Sequence, residues 1–318
     1  MKKEGVITIK EMRESIFRSG YLLEQRVESM LQERGYYVEA NAAYPDPSTG
    51  KSREIDIDAV AAVKISREYD LIFSRLLCEC ENNKQPIVFF IKDSPISFLY
   101  HEEVKCAGLP VQFLTRGRTP INGAKKESDN EYIGLSEFLN FEKYHHYCKG
   151  PISTQYCTFT RKDPGKPWVA FHEDAQHRSL TDLIFSLEAS IEDYYKNYSI
   201  PEEEEVEQVN IEIYYPLLIL QGPLYAASVK ETKLKLLRSE YVQYRKEYFS
   251  KDKHETYQID VIAESFLPHY LDMIEKEMER AKNILKRKKE IVRESLDRLV
   301  EKARNKDKSK NFRDIFEF

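Results

Sequence analysis

The chain has 318 residues, of which 41% are hydrophobic and 32% are charged. That is enough apolar material for a large core, which excludes a wholly disordered protein. Its 49 basic and 54 acidic side chains give a formal net charge of −5. This balance argues against a protein that coats nucleic acid through bulk charge, while still allowing local basic patches.

Neither a signal peptide nor a membrane span is predicted. The first residues, MKKEGVITIKEMRE, contain no apolar core of the kind that signal peptides carry. The longest uncharged run, Ile213 to Val229, has 17 residues, whereas a spanning helix needs about 20. An odd count of five cysteines fits a reducing compartment. We therefore expect a soluble cytoplasmic protein.

The first ninety residues predict one helix followed by four strands with short connections. Apolar residues at helical spacing indicate a helix from about Gly20 to Arg34, and Gly35 suits the position after its C-cap. Alternating patterns indicate the strands. The first strand starts at Tyr36 and the second covers Arg53 to Val63. The third ends at Glu81, and the fourth covers Ile87 to Ile91. Such an opening is typical of an α+β or mixed-sheet domain.

The acidic run PEEEEVE at 201–207 is predicted to be a linker. It would separate an amino-terminal domain, 1–200, from a strand-containing region, 208–318. Further elements are predicted on both sides of it: strands at 155–161, 168–174, 209–222, 234–237 and 257–264, and a helix at 180–195.

The carboxy-terminal region is predicted to be one long helix from about Leu267 to Lys306. A heptad seam favours this prediction, because apolar residues recur every seven positions. They are Leu271, Met278, Leu285, Val292 and Leu299. The favoured interpretation is a helix that packs along its own domain. The alternative is a helix that forms a homodimer or recruits a partner protein.

Two of the predicted strands carry acidic residues in alternation. Glu54, Asp56 and Asp58 share one side of the first strand, and Glu79 and Glu81 share one side of the second. If these strands are neighbours, the carboxylates crowd together and raise one another's pKa. A divalent cation would relieve that repulsion, and oxygen-only ligands favour Mg²⁺ or Mn²⁺ over zinc.

The order of these motifs resembles the core of the PD-(D/E)xK nuclease superfamily, which has the restriction-endonuclease-like fold. The helix GYLLEQRVESML carries Glu24, and REIDIDA places Asp56 three residues before Ala59. CECENNKQPIVFF is similar to the family's ECKNNKxPxVFF and puts Glu79 at the position of its metal-binding acid. The match covers about 70 residues, from Gly20 to Ile91.

This resemblance implies an α+β fold with a mixed sheet flanked by helices. It also implies a Mg²⁺- or Mn²⁺-dependent nuclease that hydrolyses phosphodiester bonds in nucleic acid, DNA more than RNA. Asp56, Glu79 and the backbone carbonyl of Cys80 would then bind the ion, and Glu24 would orient the attacking water.

One residue departs from the family pattern, because Glu81 occupies the place of the motif lysine. Glu81 could accept the proton of the attacking water or help to hold a second ion. Alternatively, Lys84 or Lys92 could supply the missing positive charge. The remaining alternative is a degenerate module that binds nucleic acid or a partner without cutting.

A basic cluster, Lys286, Arg287, Lys288 and Lys289, is a candidate contact for nucleic-acid phosphates. The segment from Lys276 to Lys310 holds 14 basic and 7 acidic residues. A solvated helix face is the simpler interpretation of this cluster.

Three further patterns have simpler structural interpretations. Cys78 and Cys80 are expected to face the core, on the side of the strand opposite the carboxylates. The segment from His145 to Cys148 could bind a metal with Cys106 or Cys157, although no CxxC pair supports this. Asp260, in YQIDVIAE, is expected to be a solvated carboxylate on a strand.

Overall fold

The computed structural model describes residues 6–47, 49–66, 70–92, 98–115, 131–172, 174–197, 208–249 and 254–305. The predicted linker, 201–207, lies outside them. None of the helices in these ranges has both the length and the apolar composition needed to cross a bilayer.

The described residues form an α+β protein. The helices are α1 (Ile9–Arg18), α2 (Tyr21–Glu33), α3 (Leu135–Phe138), α4 (Phe141–Tyr144), α5 (Asp174–Asn197), α6 (Leu267–Arg287) and α7 (Lys289–Asn305). The first nine strands are β1 (Tyr37–Pro45), β2 (Ser52–Lys64), β3 (Leu71–Glu81), β4 (Ile87–Lys92), β5 (Cys106–Leu109), β6 (Gln112–Thr115), β7 (Glu131–Gly134), β8 (Ile152–Thr160) and β9 (Val169–Phe171). The others are β10 (Asn210–Leu220), β11 (Leu224–Lys230), β12 (Lys233–Ser239), β13 (Tyr241–Phe249) and β14 (His254–Ala263). Short 3₁₀ turns cover Phe98–Glu103, His146–Cys148 and Glu264–Phe266.

Twelve strands join in one mixed sheet, whose main path runs β1-β2-β3-β10-β14-β13-β8-β4-β11-β12. Strand β3 pairs antiparallel with β2 and parallel with β10. Strands on either side of the predicted linker are therefore neighbours, with β10 between β3 and β14. The boundary predicted at 201–207 does not divide the sheet.

Alternate residues of β3 and β10 face two different apolar cores. Leu76 and Ile219 belong to the core that also contains side chains of α2, α6 and α7. Leu77 and Leu218 belong to the core that contains side chains of α5. The central strands are thus covered on both faces, which explains their nearly continuous apolar sequence.

The long carboxy-terminal helix predicted from the sequence is in fact two helices, α6 and α7, that meet at Lys288. The Lys288 ammonium donates to the backbone oxygen of Phe138 at 3.0 Å and lies 4.2 Å from the centre of the Phe138 ring. The heptad seam is buried in the core that α6 and α7 share with the sheet. The seam therefore packs against its own chain, as the favoured interpretation expected.

Two turns lie against each other where β3 leads into β4 and β10 leads into β11. The Gly222 amide donates to Oδ1 of Asn83 at 2.7 Å, and the Gln221 amide donates to the carbonyl of Glu81 at 3.0 Å. A methyl group on Gly222 would overlap the backbone oxygen of Asn83. The absence of a side chain at position 222 therefore lets the turns pack.

We expect Gly222→Ala to lower the free energy of unfolding by about 1–3 kcal/mol, the usual cost of overpacking. Gly134→Ala is the matched control, because a methyl group there meets nothing within 4 Å and the backbone φ is −70°. Urea unfolding of both variants measures the difference. Equal stability of the two would contradict the close packing of the turns.

Candidate active site

The pairing of β2 with β3 brings Asp56 to the end of β3. The paired register runs as far as Ile57 opposite Cys78. One step further, Oδ2 of Asp56 accepts a hydrogen bond from the Cys80 amide at 2.7 Å. Beyond the last backbone pair, the Asp56 side chain therefore takes over the hydrogen bonding between β2 and β3. It is held beside the strand that carries Glu79.

Helix α2 places Glu24 at the same point. The helix begins directly after Gly20, its N-cap residue, and Glu24 lies in its first turn. A methyl group added to Gly20 would lie 3.3 Å from Oε1 of Glu24 and 3.8 Å from the carbonyl oxygen of Cys80. These two oxygens thus border one small space. Burial and the charge of Asp56 together raise the pKa of Glu24.

Glu79 has the most strongly shifted pKa of the group. Burial, followed by the charges of Asp56, Asp182 and Glu81, raises the pKa of Glu79 to about 9. Burial also raises the pKa of Asp56, with a smaller contribution from Asp182, while the hydrogen bond from the Cys80 amide lowers it. The charges of Asp56, Asp182 and Glu81 therefore oppose the ionisation of Glu79, and the charge of Asp182 also opposes that of Asp56.

Glu81 lies at this cluster, where its charge helps to raise the pKa of Glu79, and the two lysines considered as replacements for the motif lysine are exposed. The Ser179 hydroxyl, on α5, donates to Oε1 of Glu81 at 2.8 Å. Lys84 is exposed in the turn after β3, and Lys92 is exposed at the end of β4. Within the described part of the chain, no cationic side chain is among the groups that shift the pKa of Asp56 or Glu24.

Asp182 also belongs to the carboxylate cluster, although no sequence pattern indicated it. It lies on α5 and accepts from Nη1 of Arg53 at 2.7 Å, and the hydroxyl of Tyr44 lies 3.3 Å from its Oδ1. Its charge raises the pKa of both Asp56 and Glu79. Helix α5 was predicted, but nothing local in the sequence places this residue beside β3.

The other two acidic residues of β2 do not join the cluster, which corrects the expectation of three crowded carboxylates on that strand. Asp58 pairs with the Arg75 guanidinium through contacts of 2.9 Å to Oδ1 and 2.6 Å to Oδ2. Glu54 is exposed. Of the three residues, Asp56 is the one whose charge contributes to the raised pKa values of Glu24 and Glu79.

The donor set fits a hard divalent cation. Carboxylates and a backbone carbonyl supply oxygen ligands, which Mg²⁺ and Mn²⁺ prefer. Such an ion would replace the proton that Glu79 holds near neutral pH, because its charge favours the ionised form. The residues that would hold it are Asp56, Glu79 and the carbonyl of Cys80, with Glu24 beside them.

The predicted basic cluster lies beyond the far end of α2. Arg34, just after that helix, pairs with Asp272 and Glu275 of α6. Arg26, in the middle of α2, pairs with Glu264, just before α6 begins, so the two helices run in the same direction. Lys286 follows Glu275 by 11 residues, or about 16 Å of helix.

Lys286 and Arg287 line a cleft of about 730 Å³ together with Lys143 and Arg280. Lys289 begins α7 and is exposed. Lys288 instead contacts Phe138, as described above. The basic residues therefore form a positive cleft at some distance along α6 from the carboxylates.

Cys78 and Cys80 are buried in the core on the α2 and α6 side, which confirms the expectation for them. Burial raises the pKa of both thiols well above the ordinary value.

Two other sequence expectations need correction. Asp260 is fully buried rather than solvated. His145 and His146 lie beside Glu277 of α6, and the metal-type cluster that they form contains no cysteine.

Comparison with models of protein families, with curated proteins and with solved structures finds no match to this chain. The assignment of this site therefore depends on the positions and contacts of its own residues.

We expect Glu79→Gln to stabilise the metal-free protein at pH 8 and to have little effect at pH 5. The pKa of Glu79 is about 9 in the folded chain and about 4.3 in an unfolded one. Its burial therefore weakens folding progressively as the pH rises between these values. The gain should be up to about 5 kcal/mol at pH 8, since roughly 3.7 pKa units separate pH 8 from the unfolded value and one unit corresponds to about 1.4 kcal/mol.

Chemical denaturation across this pH range, in the presence of a chelator, measures the effect. Glu54→Gln is the control, because that side chain is exposed on β2. If the parent chain and Glu79→Gln show the same pH dependence, Glu79 is not a strained carboxyl.

Proposed function

We propose that the chain is a metal-dependent nuclease that hydrolyses phosphodiester bonds, in DNA more than in RNA. The observation that carries this proposal is the convergence of Glu24, Asp56, Glu79 and the Cys80 carbonyl at one end of β3. These are the four groups that the resemblance to the restriction-endonuclease-like fold singled out. They come from three separate elements, which makes a chance meeting less plausible than a site.

Each residue has a definite task in this reaction. Asp56, Glu79 and the Cys80 carbonyl would hold Mg²⁺ or Mn²⁺, and the bound ion supplies an activated water and neutralises charge on the phosphate. Glu24 would orient that water through its carboxylate. The Cys80 amide fixes Asp56 in position, which keeps a ligand oxygen ready before the substrate arrives.

Glu81 is the residue that favours a second candidate function. A carboxylate bound by Ser179 stands where the family has its lysine, and Lys84 and Lys92 are exposed. A degenerate site would leave a module that binds nucleic acid through the basic cleft of α6, or that recruits a partner, without cutting. Both candidates use the same positive cleft, so binding alone does not distinguish them.

Cleavage assays separate the two candidates. The full chain is incubated with plasmid, single-stranded DNA or RNA while Mg²⁺ or Mn²⁺ is varied. We expect Asp56→Asn and Glu79→Gln each to lower the cleavage rate by about 100-fold or more, the scale for losing a group that stabilises transition-state charge. Glu54→Gln, on the same strand, should retain the parent rate.

A parent chain that cuts nothing, yet binds these substrates with salt-dependent affinity, would overturn the nuclease proposal. That result would favour the non-cleaving module. Loss of cleavage in Glu54→Gln to the same degree as in Asp56→Asn would also contradict the assignment of the site.

Lys84 is the candidate source of positive charge at the reacting phosphate, because it follows Glu81 by three residues and its side chain is exposed. We expect Lys84→Ala to lower the cleavage rate by roughly tenfold or more while Mn²⁺ binding stays unchanged. Lys92→Ala is the control, as Lys92 is also exposed but lies at the end of β4. Equal rates for the two variants would point to Glu81 as the residue that replaces the motif lysine.

A further inference from the structure

A second group of metal-ligand side chains lies inside the protein, where the turn before β8 meets α6. His145, His146 and Glu277 are 0%, 6% and 4% exposed. One possible ligand atom from each of them lies within 4.8 Å of the others. None of these residues belongs to the carboxylate cluster on β2 and β3.

The surroundings of His146 orient it as a ligand. Its Nε2 lies 2.8 Å from Oδ2 of Asp260, and its Nδ1 lies 3.0 Å from Oε1 of Glu277. The hydroxyls of Tyr241 and Tyr270 donate to Asp260 at 3.0 and 2.6 Å and hold it in place. A histidine that donates one ring N–H to a carboxylate presents its other nitrogen to a metal, which is the common arrangement around zinc.

His145 is the observation that points to a missing ligand. Its Nε2 is buried without a hydrogen-bond partner and lies 3.6 Å from Oε2 of Glu277. A proton on Nδ1 of His146 would satisfy His146 and Glu277, and it would still leave Nε2 of His145 unpaired. An ion between the two imidazoles and Glu277 would give Nε2 of His145 the partner that it lacks.

The charges of the buried groups also favour a bound ion. Asp260 and Glu277 are buried carboxylates. One imidazolium between them leaves a net charge of −1 inside the protein. A divalent ion together with neutral imidazoles brings the sum to zero, and buried charge is costly unless it is neutralised.

We propose that Nε2 of His145, Nδ1 of His146 and the carboxylate of Glu277 bind a zinc-class divalent ion. Two imidazoles and one carboxylate are a known protein donor set for Zn²⁺. Metal–nitrogen lengths of about 2.0–2.1 Å separate tetrahedral ligands by roughly 3.3 Å. The observed separations are close to that value but end on different carboxylate oxygens: 3.0 Å from Nδ1 of His146 to Oε1 of Glu277, and 3.6 Å from Nε2 of His145 to Oε2.

Loading the ion exchanges it for a proton. The imidazolium proton of His146 leaves to solvent as the nitrogen lone pair binds the metal. Binding through Nε2 of His145 requires its proton to sit on Nδ1, so the bond that Nδ1 now accepts from the Tyr147 amide at 3.2 Å is lost. A water molecule can complete the tetrahedron.

The ion would join three parts of the fold: the segment after α4, the middle of α6 and, through Asp260, strand β14. Nitrogen ligands select zinc-class ions, whereas the oxygen ligands on β2 and β3 select Mg²⁺ or Mn²⁺. The two sites are therefore independent in both position and metal preference.

The test uses the full chain carrying Asp56→Asn, so that ions at the carboxylate cluster do not contribute. After chelation and dialysis, the chain is titrated with Co²⁺ and separately with Zn²⁺. We expect one equivalent of Co²⁺ with ligand-field absorption typical of tetrahedral coordination, and a higher Tm with Zn²⁺. Adding His145→Phe, which keeps an aromatic ring in the core, should weaken binding by at least about tenfold.

His269→Ala is the matched control, because His269 is exposed on the same helix as Glu277. It should bind Co²⁺ and Zn²⁺ as the parent does. A folded parent chain with no tetrahedral Co²⁺ absorption and no change in Tm on adding Zn²⁺ would overturn the proposal. Undiminished metal binding by His145→Phe would overturn it as well, and the parent measurement decides the matter if that variant fails to fold.

Discussion

The hydrogen bond from the Cys80 amide to Asp56 is the contact on which the candidate active site depends. It forms where the backbone pairing of β2 with β3 ends, so a side chain takes the place of a strand partner. This contact fixes the Asp56 carboxylate on the peptide that links Glu79 to Cys80. The rest of the site, including Glu24 on α2, is arranged around that point.

Holding several carboxylates together works against folding, and the sheet supplies the rigidity that maintains them. Strand β3 is paired on both sides, and apolar cores cover both of its faces. Burial, followed by the charges of the neighbouring carboxylates, raises the pKa of Glu79 in consequence. Strain of this kind is common at functional sites, where a ligand relieves it. A divalent cation is the ligand that suits oxygen donors with this arrangement.

Local patterns were enough to predict α2 and the four strands after it, but they missed α1, Ile9–Arg18. Helix α2 is confirmed within one residue at each end, and Gly35 has the positive φ of 81° expected after a helix. The alternation in β2 and β3 also predicted that their carboxylates would crowd together if the two strands were neighbours, and β2 does pair with β3. These features depend on neighbours in sequence, so periodicity and turn residues reveal them.

Contacts between distant segments could not be predicted in the same way. The break between α6 and α7 coincides with contacts from Lys288 to Phe138, 150 positions away. In the sequence, Asp260 has the pattern of an ordinary carboxylate on a strand. In the fold, His146, Tyr241 and Tyr270 surround it. Asp182 reaches the active-site region only because α5 packs on the sheet. No hydrophobic periodicity or motif spacing in the sequence indicates these long-range contacts.

Anomalous diffraction from crystals soaked in Mn²⁺ would show whether the carboxylates on β2 and β3 bind a divalent ion. We expect a peak within about 2.0–2.6 Å of oxygens from Asp56, Glu79 and the Cys80 carbonyl, the range of hard-cation bonds to oxygen. We also expect this peak to disappear in crystals of Asp56→Asn. Ordered Asp56 and Glu79 side chains with no peak between them at saturating Mn²⁺ would contradict the proposed metal site.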